Sequence, residues 1–449
     1  MKFFGFNLIE KHLLRLFDIS LFLKRFPIKG AKEELHQISG IKEAGYEAFL
    51  KAKRAEIVTY HLKNNPFYRQ KVKGDFSTWE TLPILKKADY QIPLKERLSK
   101  DFSEKNCYTN KTSGSSGNPI RFAKNKYSHA MTWAYHMERF GRHGIDFNSS
   151  LQARYYGIPL DTVKNKTVRV KDFLAHRHRF SINDLSENAL DEMLKVYKQK
   201  PFEYINGYTS SIVLFAKYLK EKNIILKNVC PTLKVCIVTS EMLFEDDKIL
   251  LESQLGVPIV NEYGCSEAGV IAFTNPHGEW EVDSKTLFVE ILDEADKPLP
   301  LGEEGRIVIT SLHNKAHPFI RYEIGDYGAL SEKSTFKKPI LKTLVGRTND
   351  FATLPSGKKA AGMTFYVITK KIMEESGNIQ EFKVIQTKID TFEINYVSKT
   401  ELTEEKKSFI SKTIVQFLEP ELKFTFHRKT QLDRTASGKL KQFVSLVEN

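Results

Sequence analysis

Cysteine is scarce in this chain. Its four cysteines, Cys107, Cys230, Cys236 and Cys265, show neither paired CxxC spacing nor the density of a disulfide-bonded secreted scaffold. This pattern excludes a small disulfide-rich protein. It favours a cytoplasmic location.

Long apolar runs are also lacking. The segment 1–28 is largely apolar, but charged residues such as Glu10, Lys11, Arg15 and Asp18 interrupt it. No stretch therefore approaches the roughly 20 apolar residues that a membrane span needs. Without a small-residue cleavage site it also makes a poor signal peptide. Two interpretations stay open: a helix docked on the protein's own core, and a basic amphipathic helix lying peripherally on the inner membrane face.

Fixed-period repeats and low-complexity tracts are absent, as are the patterns of common nucleic-acid-binding modules. Lys plus Arg exceed Asp plus Glu by 69 minus 55, a net charge of +14. Such an excess favours anionic partners, including nucleotides, CoA and acidic membrane faces. Because basic residues interleaved with aromatics on one face are missing, we expect no nucleic-acid partner.

What the chain does contain is enough length for at least two packed domains. Residues 1–70 are predicted to be mainly helical. From about residue 105 to 345, short β-rich runs alternate with helical segments, which indicates a mixed α/β architecture. A polar hinge near 347–350 then leads into a different pattern of strands and helices. The sequence predicts an α/β fold with a large N-terminal domain, 1–345, and a small mobile C-terminal α+β domain, 346–449.

Individual elements can be assigned from periodicity and β-branched or aromatic content. Strands are predicted at Leu233–Val238, Pro258–Asn261, Leu287–Leu292 and Arg306–Thr310, and helices at Leu185–Lys198 and Ile212–Glu221.

The first candidate site is a loop of hydroxyls and glycines that ends in a proline. Glycines let backbone amides approach a phosphate, and Ser and Thr hydroxyls donate to its oxygens. The GxxxxGK[ST] spacing of a Walker loop is absent. From the residues alone, the loop is either a phosphate-binding loop or a surface linker. It reads Thr112, Ser113, Gly114, Ser115, Ser116, Gly117, Asn118, Pro119.

The second candidate is the heptapeptide NEYGCSE, residues 261–267, which follows the apolar run Val257 to Val260. A strand that ends in a polar turn is where α/β folds place ligands. Glu267 can supply an oxygen ligand to a magnesium ion held mainly by phosphates, and Tyr263 can offer a flat ring to a base. The alternative is a strand-edge turn with solvated glutamates.

Two further candidates lie nearer the C-terminus. Asp326 in IRYEIGD can accept both hydroxyls of a ribose, and Arg347 in GRTND can hold ribose or phosphate oxygens. A salt-bridged hinge is the alternative for this pair. Lys439, presented by a glycine turn in RTASGKLK, would by itself indicate only a solvated basic tail.

Taken together, the order and spacing of these four motifs resemble the AMP-forming adenylating superfamily, which includes acyl-CoA synthetases, adenylation domains and luciferase. Within it the resemblance favours the phenylacetate-CoA ligase, coenzyme F390 synthetase and CapK-like branch. It runs from about residue 45 to the C-terminus. It implies an adenylate-forming type of fold, ATP and Mg²⁺ as cofactors, and CoA as a co-substrate.

The resemblance also implies roles for individual residues. Asn118 departs from it, since many members have a lysine there. The implied roles are phosphate binding for Thr112, Ser113, Gly114, Ser115, Ser116 and Gly117, nucleotide binding for Glu262, Tyr263, Gly264, Ser266, Asp326 and Arg347, magnesium binding for Glu267, catalysis for Glu267 and Lys439, and the hinge for Asn349.

The acyl pocket is expected, by analogy with neighbouring superfamily motifs, near Tyr155, Tyr156, Tyr208 and Glu241. For the tyrosines, packing in the core is an equally good interpretation. The phenylacetate branch often carries Cys and His residues suited to zinc just after its YGxTE motif. Here only His277 remains in that stretch, so no zinc is expected.

The implied activity is ATP-dependent activation of a small-molecule carboxylic acid as an acyl-adenylate, followed by transfer of the acyl group to CoA to give a thioester. One alternative is transfer to an amine or sugar acceptor in cell-surface polysaccharide biosynthesis. Another is an inactive nucleotide-binding scaffold. The presence of both Glu267 and Lys439 argues against the scaffold.

Overall fold

The chain divides into two compact units. The first comprises the described residues up to Glu290 together with Val308–Tyr322 and Ser331–Leu341, and the second comprises Ile291–Ile307, Glu323–Leu330 and the described residues from Lys342 onward. The computed structural model describes residues 16–72, 78–112, 119–157, 162–182, 184–347, 351–361, 364–365, 368–369, 371–372, 379–433 and 442–447.

Helices occur throughout the first unit. In the second unit α12 has described bounds, and residues 364–365, 368–369 and 371–372 are also helical. The α-helices are α1 (Leu16–Leu23), α2 (Ile28–Gly40), α3 (Glu43–Asn64), α4 (Pro66–Lys71), α5 (Leu94–Arg97), α6 (Lys126–Gly141), α7 (Thr162–Leu174), α8 (Glu187–Gln199), α9 (Thr209–Glu221), α10 (Leu226–Val229), α11 (Glu245–Leu255) and α12 (Glu404–Phe417). Short 3-10 helices lie at Trp79–Thr81 and Lys87–Tyr90.

Strands begin only after the helical N-terminal region. They are β1 (Tyr108–Lys111), β2 (Arg121–Lys124), β3 (Gln152–Tyr155), β4 (Arg177–Phe180), β5 (Tyr204–Tyr208), β6 (Val235–Thr239), β7 (Ile259–Cys265), β8 (Gly269–Thr274), β9 (Trp280–Val282), β10 (Leu287–Leu292), β11 (Gly305–Ser311), β12 (Tyr322–Leu330), β13 (Ile340–Arg347), β14 (Phe351–Thr353), β15 (Lys359–Ala361), β16 (Ile379–Lys388), β17 (Thr391–Ser398), β18 (Lys423–Lys429) and β19 (Phe443–Ser445).

The first unit is built on a sheet in which β4, β3, β5, β6 and β7 are adjacent and parallel. Helices α7, α8, α9 and α11 lie in the successive connections, as parallel pairing requires a crossover. The sheet then continues through the antiparallel strands β8 and β9. All the parallel strands therefore end at the same edge of the sheet.

Both faces of this parallel sheet are covered by helices. On one face Ile205, Cys236 and Val238 pack with residues of α8, α9 and α11. On the other face Tyr204 and Ile237 pack with residues of α2, α3 and α6. Burial on both faces explains why the strand sequences are nearly continuous apolar runs rather than alternating ones.

Helix α8 illustrates why the flanking segments are helical. Its buried residues are spaced three or four positions apart, so they form one apolar stripe along the helix. They are Leu190, Met193, Leu194 and Tyr197. All four are buried in the core of the first unit. The polar residues between them face away from the sheet, which fixes how the helix lies against it.

The second unit contains a four-stranded sheet in the order β18, β17, β16, β19. Strands β16 and β17 are antiparallel, while β18 and β19 run parallel to their neighbours. Helix α12 contributes Ile410 and Ile414 to the core of this unit. A larger sheet-rich unit with helices and a smaller C-terminal sheet unit confirm the predicted α/β fold class.

Gly207 is required by close packing between strands. A side chain at this position would overlap the backbone of Tyr155 on the adjacent strand β3. We expect Gly207→Ala to lower the free energy of unfolding by about 1–3 kcal/mol, because the two strands must separate.

Gly30 provides the matched control. It lies in α2 with no heavy atom within 4 Å of an added Cβ. The Gly30→Ala variant should be as stable as the parent or up to about 1 kcal/mol more stable, since alanine favours the helix. Urea unfolding of both variants tests the contrast, and equal midpoints would contradict it.

Candidate active site

Polar segments gather at the edge of the sheet where the parallel strands end. Strands β5, β6 and β7 are in register, so Val238 lies beside Gly207 and Asn261, and Thr239 lies beside Glu262. Carboxyl ends of parallel strands are where α/β folds bind ligands. This edge brings together the sequence segments around residues 155, 207, 240 and 262.

The EYGCSE motif, residues 262–267, occupies the last four residues of β7 and the start of the turn to β8. An added Cβ on Gly264 would lie 2.5 Å from the carbonyl oxygen of Gly269 and 3.0 Å from the Cα of Val270. The strand register also shifts between Tyr263 and Gly264. Only glycine allows the two strands to approach so closely here, and the irregularity redirects the side chains that follow.

Glu262 is held at the cavity wall by Thr239. The Thr239 hydroxyl donates to Glu262 Oε1 at 3.1 Å and also to the Glu262 carbonyl oxygen at 3.1 Å. Burial raises the pKa of Glu262 to about 7, although the Thr239 hydrogen bond and the nearby Arg154 oppose the rise. A glutamate that changes charge near neutral pH therefore faces this site.

Glu267 is buried, and its Oε1 accepts a hydrogen bond from the Tyr322 hydroxyl at 3.1 Å. Within the described residues no donor is found for its second oxygen. Tyr263 is half-buried and makes an edge contact with Trp280, with ring centroids 6.2 Å apart. The neighbouring Ser266 is exposed. The carboxylate of Glu267 is thus oriented through one oxygen by Tyr322.

The hydroxyl and glycine loop connects the two strands of the β1–β2 hairpin. Thr112 closes the base of the loop: its backbone N–H donates to the Ile120 carbonyl at 3.0 Å, and its hydroxyl accepts from the Ile120 N–H at 3.0 Å. Residues 113–118, which include Ser113, Gly114, Ser115, Ser116 and Gly117, lie outside the described part of the chain.

A cavity of about 280 Å³ lies between the β1–β2 hairpin, helix α6 and the β7–β8 turn. Glu262, Gly264 and Ser266 line one side of it. The other side is formed by residues that the sequence analysis did not single out. The full lining is Tyr108, Asn110, Lys124, His129, Thr132, Trp133, His136, Thr239, Ser240, Glu262, Gly264, Cys265, Ser266, Gly269 and Val270.

The two histidines of this lining are seven residues apart in α6, so they lie on the same helix face. The His129 ring stacks on Tyr108 with centroids 3.8 Å apart and accepts from the Trp133 indole at 3.1 Å. Burial lowers the pKa of His129 to about 3 and that of His136 to about 4. The seven-residue spacing of His129 and His136 in a helical segment is the sequence pattern that would have predicted that both line one surface.

The four residues expected near the acyl pocket have different environments. Tyr155 is fully buried in the core, where its hydroxyl donates to the Tyr197 hydroxyl at 3.2 Å. Tyr156 lies against Tyr208, with centroids 4.8 Å apart. Glu241 Oε2 accepts from the Ser210 backbone N–H at 2.8 Å. Tyr156 and Tyr208 are therefore adjacent, whereas Tyr155 takes part in core packing.

The remaining predicted residues lie elsewhere in the chain. Asp326 is buried on β12 in the second compact unit. Arg347 ends β13 in the same unit, and its side chain is not among those described. Asn349 and Lys439 lie outside the described residues. Their roles stay predictions from the sequence.

Groups of three or more His, Cys, Asp or Glu able to hold a metal ion are not found within the described ranges. No helix within those same ranges is long and apolar enough to cross a membrane.

Comparison with known proteins gives one sequence relative and several structural ones. No family model matches the chain. Its sequence is similar to that of the indoleacetate–lysine synthetase of Pseudomonas savastanoi, with 25% identity over 294 residues, 62% of this chain and 67% of that protein.

Among solved structures, the chain is similar to 2-hydroxyisobutyryl-CoA ligase in the postadenylation state, with a TM-score of 0.67, 15% identity and 88% of each chain covered. It is also similar to the O-succinylbenzoate coenzyme A synthetase of Bacillus subtilis in complex with AMP, with a TM-score of 0.51 and 14% identity over 74% of this chain and 67% of that one. The chain therefore has the fold of the adenylate-forming ligases.

The predicted resemblance to the AMP-forming superfamily is confirmed at the level of the fold. The phenylacetate-CoA ligase and CapK-like branch stays a prediction.

Glu262 should make stability depend on pH. Its folded pKa of about 7 lies above the unfolded value of about 4.3, so the folded state binds more protons between these values. Stability therefore falls as pH rises through that window, and the loss is complete above pH 7. We expect Glu262→Gln to stabilise the protein by about 2 kcal/mol at pH 8, after allowance for partial exposure, and by little near pH 4.5.

Urea unfolding of the parent and the variant at both pH values tests this expectation. Glu252→Gln is the control, since Glu252 is exposed on α11 and should have a small effect at either pH. A stabilisation by Glu262→Gln that is the same at pH 4.5 and pH 8 would contradict the assignment.

Proposed function

We propose that this protein is an ATP-dependent, AMP-forming ligase that activates a carboxylic acid as an acyl-adenylate and then transfers the acyl group to CoA. The observation that carries the proposal is the cavity described above. Within the fold of the adenylate-forming ligases, it joins the EYGCSE turn to the base of the hydroxyl and glycine hairpin. Nucleotide and acid would meet there.

The first step forms a bond between a carboxylate oxygen of the acid and the α-phosphorus of ATP. The bond from that phosphorus to the β-phosphate oxygen breaks, and pyrophosphate leaves with its electron pair. Two anions must approach each other in this step, so the site has to offset their charge beforehand. In the second step the acceptor sulfur attacks the acyl carbon, the bond from that carbon to the phosphate oxygen breaks, and AMP leaves with its electron pair while the thiol proton is released.

The nucleotide contacts are proposed from the sequence resemblance. Tyr263 would lie against the adenine, Ser266 near the α-phosphate, and Asp326 and Arg347 on the ribose and phosphate oxygens. Glu262 and Gly264 would shape the wall of the same site. The loop Thr112–Gly117 would close over the β- and γ-phosphates through hydroxyls and backbone amides.

Glu267 fits a magnesium ion that is held mainly by phosphates. Its carboxylate is buried and oriented by Tyr322, and one oxygen carries no hydrogen bond from the described residues. Magnesium typically binds one or two protein carboxylates together with substrate phosphates. When bound, it would supply positive charge to the phosphates during the transfer.

Two further roles are proposed for the C-terminal region from the sequence resemblance. Lys439 would bridge the carboxylate and the α-phosphate, which both orients and neutralises the reacting groups. We propose a domain boundary near residue 345, with Asn349 in the hinge and the region 346–449 as the mobile domain. Movement about this hinge would withdraw Lys439 and admit the acceptor after adenylation.

Two classes of acyl acceptor are proposed. A CoA thiol ranks first, because solved structures with this fold include 2-hydroxyisobutyryl-CoA ligase in complex with 2-HIB-AMP and CoA in the thioesterification state. An amine ranks second, because the curated relative is named an indoleacetate–lysine synthetase. Tyr156, Tyr208 and Glu241 are the proposed pocket residues that would select the acid.

The test is ATP- and magnesium-dependent pyrophosphate release across aryl, short-chain, fatty and amino acids, each with and without CoA. We expect release that depends on one acid class and rises with CoA. Acid-dependent release that is indifferent to CoA would favour the amine or sugar acceptor. No release with any acid would contradict the proposal.

Glu267→Ala and Lys439→Ala should each lower acid-dependent pyrophosphate release by about 100-fold or more, since each removes a preorganised charge. Tyr322→Phe is the matched control for Glu267, because it removes only the hydrogen bond to the carboxylate. It should lower the rate less than Glu267→Ala. An unchanged rate in Lys439→Ala would overturn the role of that lysine.

We further propose peripheral contact with an anionic membrane through the predicted segment 1–28, of which residues 1–15 lie outside the described part of the chain, together with exposed residues of α7. The apolar surface formed by the two helices is termed the α1/α7 patch. It consists of exposed side chains on two helices that contact each other. Exposed Lys24 and Arg25 directly follow α1, and exposed Lys166 and Lys171 belong to α7. Apolar side chains flanked by cations fit an acidic lipid surface. The patch residues are Ile19, Phe22, Leu23, Val170, Phe173 and Leu174.

Co-sedimentation with liposomes tests the patch. Phe22→Ser combined with Phe173→Ser should abolish binding to vesicles that contain phosphatidylglycerol, with the charge left intact. Phe336→Ser, at an exposed phenylalanine elsewhere in the first unit, should bind like the parent. Equal binding by the double variant and the parent, or no binding by the parent, would refute membrane contact.

A further inference from the structure

Lys124 is a buried lysine in the cavity between the hairpin and the β7–β8 turn. It ends strand β2, and only 3% of its surface is exposed. Its Nζ donates to the Thr132 hydroxyl at 3.4 Å. The ammonium group also lies near Gly269, because an added Cβ there would be 3.5 Å from it.

No carboxylate of the described residues forms an ion pair with Lys124 within 4.0 Å. The two histidines of helix α6 in the same lining, His129 and His136, have pKa values of about 3 and about 4 and are neutral at pH 7. Burial lowers the pKa of Lys124 to about 8, while Cys265 and Glu267 act at longer range to raise it. The ammonium is therefore mostly charged at neutral pH and has no close counter-ion.

Such an arrangement is unfavourable for the folded protein on its own. An unpaired buried charge costs free energy, and an apolar side chain of similar volume is usually as good or better for stability. Lys124 shares the lining of this cavity with Glu262, Gly264 and Ser266. An anion that enters the cavity would supply the missing partner, and binding would be strengthened by the charge that the fold already carries.

We propose that the Lys124 ammonium binds the anionic oxygens of the ligand at the point where nucleotide and acid meet. This inference rests on the proposed ligase function, and it adds a binding residue that none of the sequence motifs contains. The chemistry is the same for two sources, an oxygen of the ATP phosphates and the carboxylate of the acid. Lys124 is a binding and positioning residue, since no proton transfer is required of it.

The experiment compares Lys124→Met with the parent. Methionine keeps the length and volume of the side chain but removes its charge. Lys111→Met is the matched control, because Lys111 is exposed on the partner strand of the same hairpin. Without ligand, Lys124→Met should melt at the same temperature as the parent or higher, since it relieves the unpaired charge. A lower melting temperature would mean that Lys124 serves the fold.

Two ligand measurements separate the two sources. If Lys124 binds a phosphate, Lys124→Met should raise the Kd of ATP by about tenfold or more in calorimetric titrations. If it binds the carboxylate, the variant should leave the Kd of ATP unchanged and raise the KM of the acid in pyrophosphate release by a similar factor. Lys111→Met should change neither value. Equal values in Lys124→Met and the parent would overturn the proposal.

Failure of the Lys124 proposal can be distinguished from failure of the ligase proposal. If the parent releases no pyrophosphate with any acid, the ligase proposal fails, and titration with ATP and with inorganic pyrophosphate still reports on Lys124. Weaker binding of either anion by Lys124→Met would then support an anion site. Unchanged binding of both would refute it.

Discussion

The parallel register of β5, β6 and β7 is the constraint on which the site depends. It ends three buried strands at one edge and sets Thr239 beside Glu262, so that a hydroxyl can hold the carboxyl group in place. The apolar residues that enforce this register, such as Ile237 and Val260, pack beneath the site. A slip of one residue would turn every side chain to the opposite face and would dismantle the cavity.

Two ionisable groups in the cavity have pKa values shifted toward neutrality by the same cause. Burial raises the pKa of Glu262 to about 7 and lowers that of Lys124 to about 8. Both shifts reflect a site that disfavours isolated charge when it is empty. A ligand that brings phosphates, a carboxylate and a cation would provide opposite charges for these groups. The empty protein is therefore less stable than it could be, and the same groups strengthen ligand binding.

The sequence allowed the architecture to be predicted more fully than the site. The apolar runs gave strands where the structure has β6, β7, β10 and β11, and the helical stripe gave α8, because burial patterns are local in sequence. The EYGCSE motif was found for the same reason, since it directly follows the buried residues 259–261, although strand β7 continues through the motif to Cys265. Lys124 could not be predicted as a cavity residue, because its burial depends on the tertiary packing of the hairpin against α6. The core position of Tyr155 likewise depends on Tyr197, 42 residues away.

The central claim is that this cavity catalyses formation of an acyl-adenylate. Acid-dependent exchange of labelled pyrophosphate into ATP tests it most directly, because the exchange reports reversible adenylation and requires no acceptor. The account predicts exchange with one class of acid in the presence of magnesium, and its loss in Glu267→Ala. Exchange that is absent with every acid, or that persists unchanged in Glu267→Ala, would contradict it.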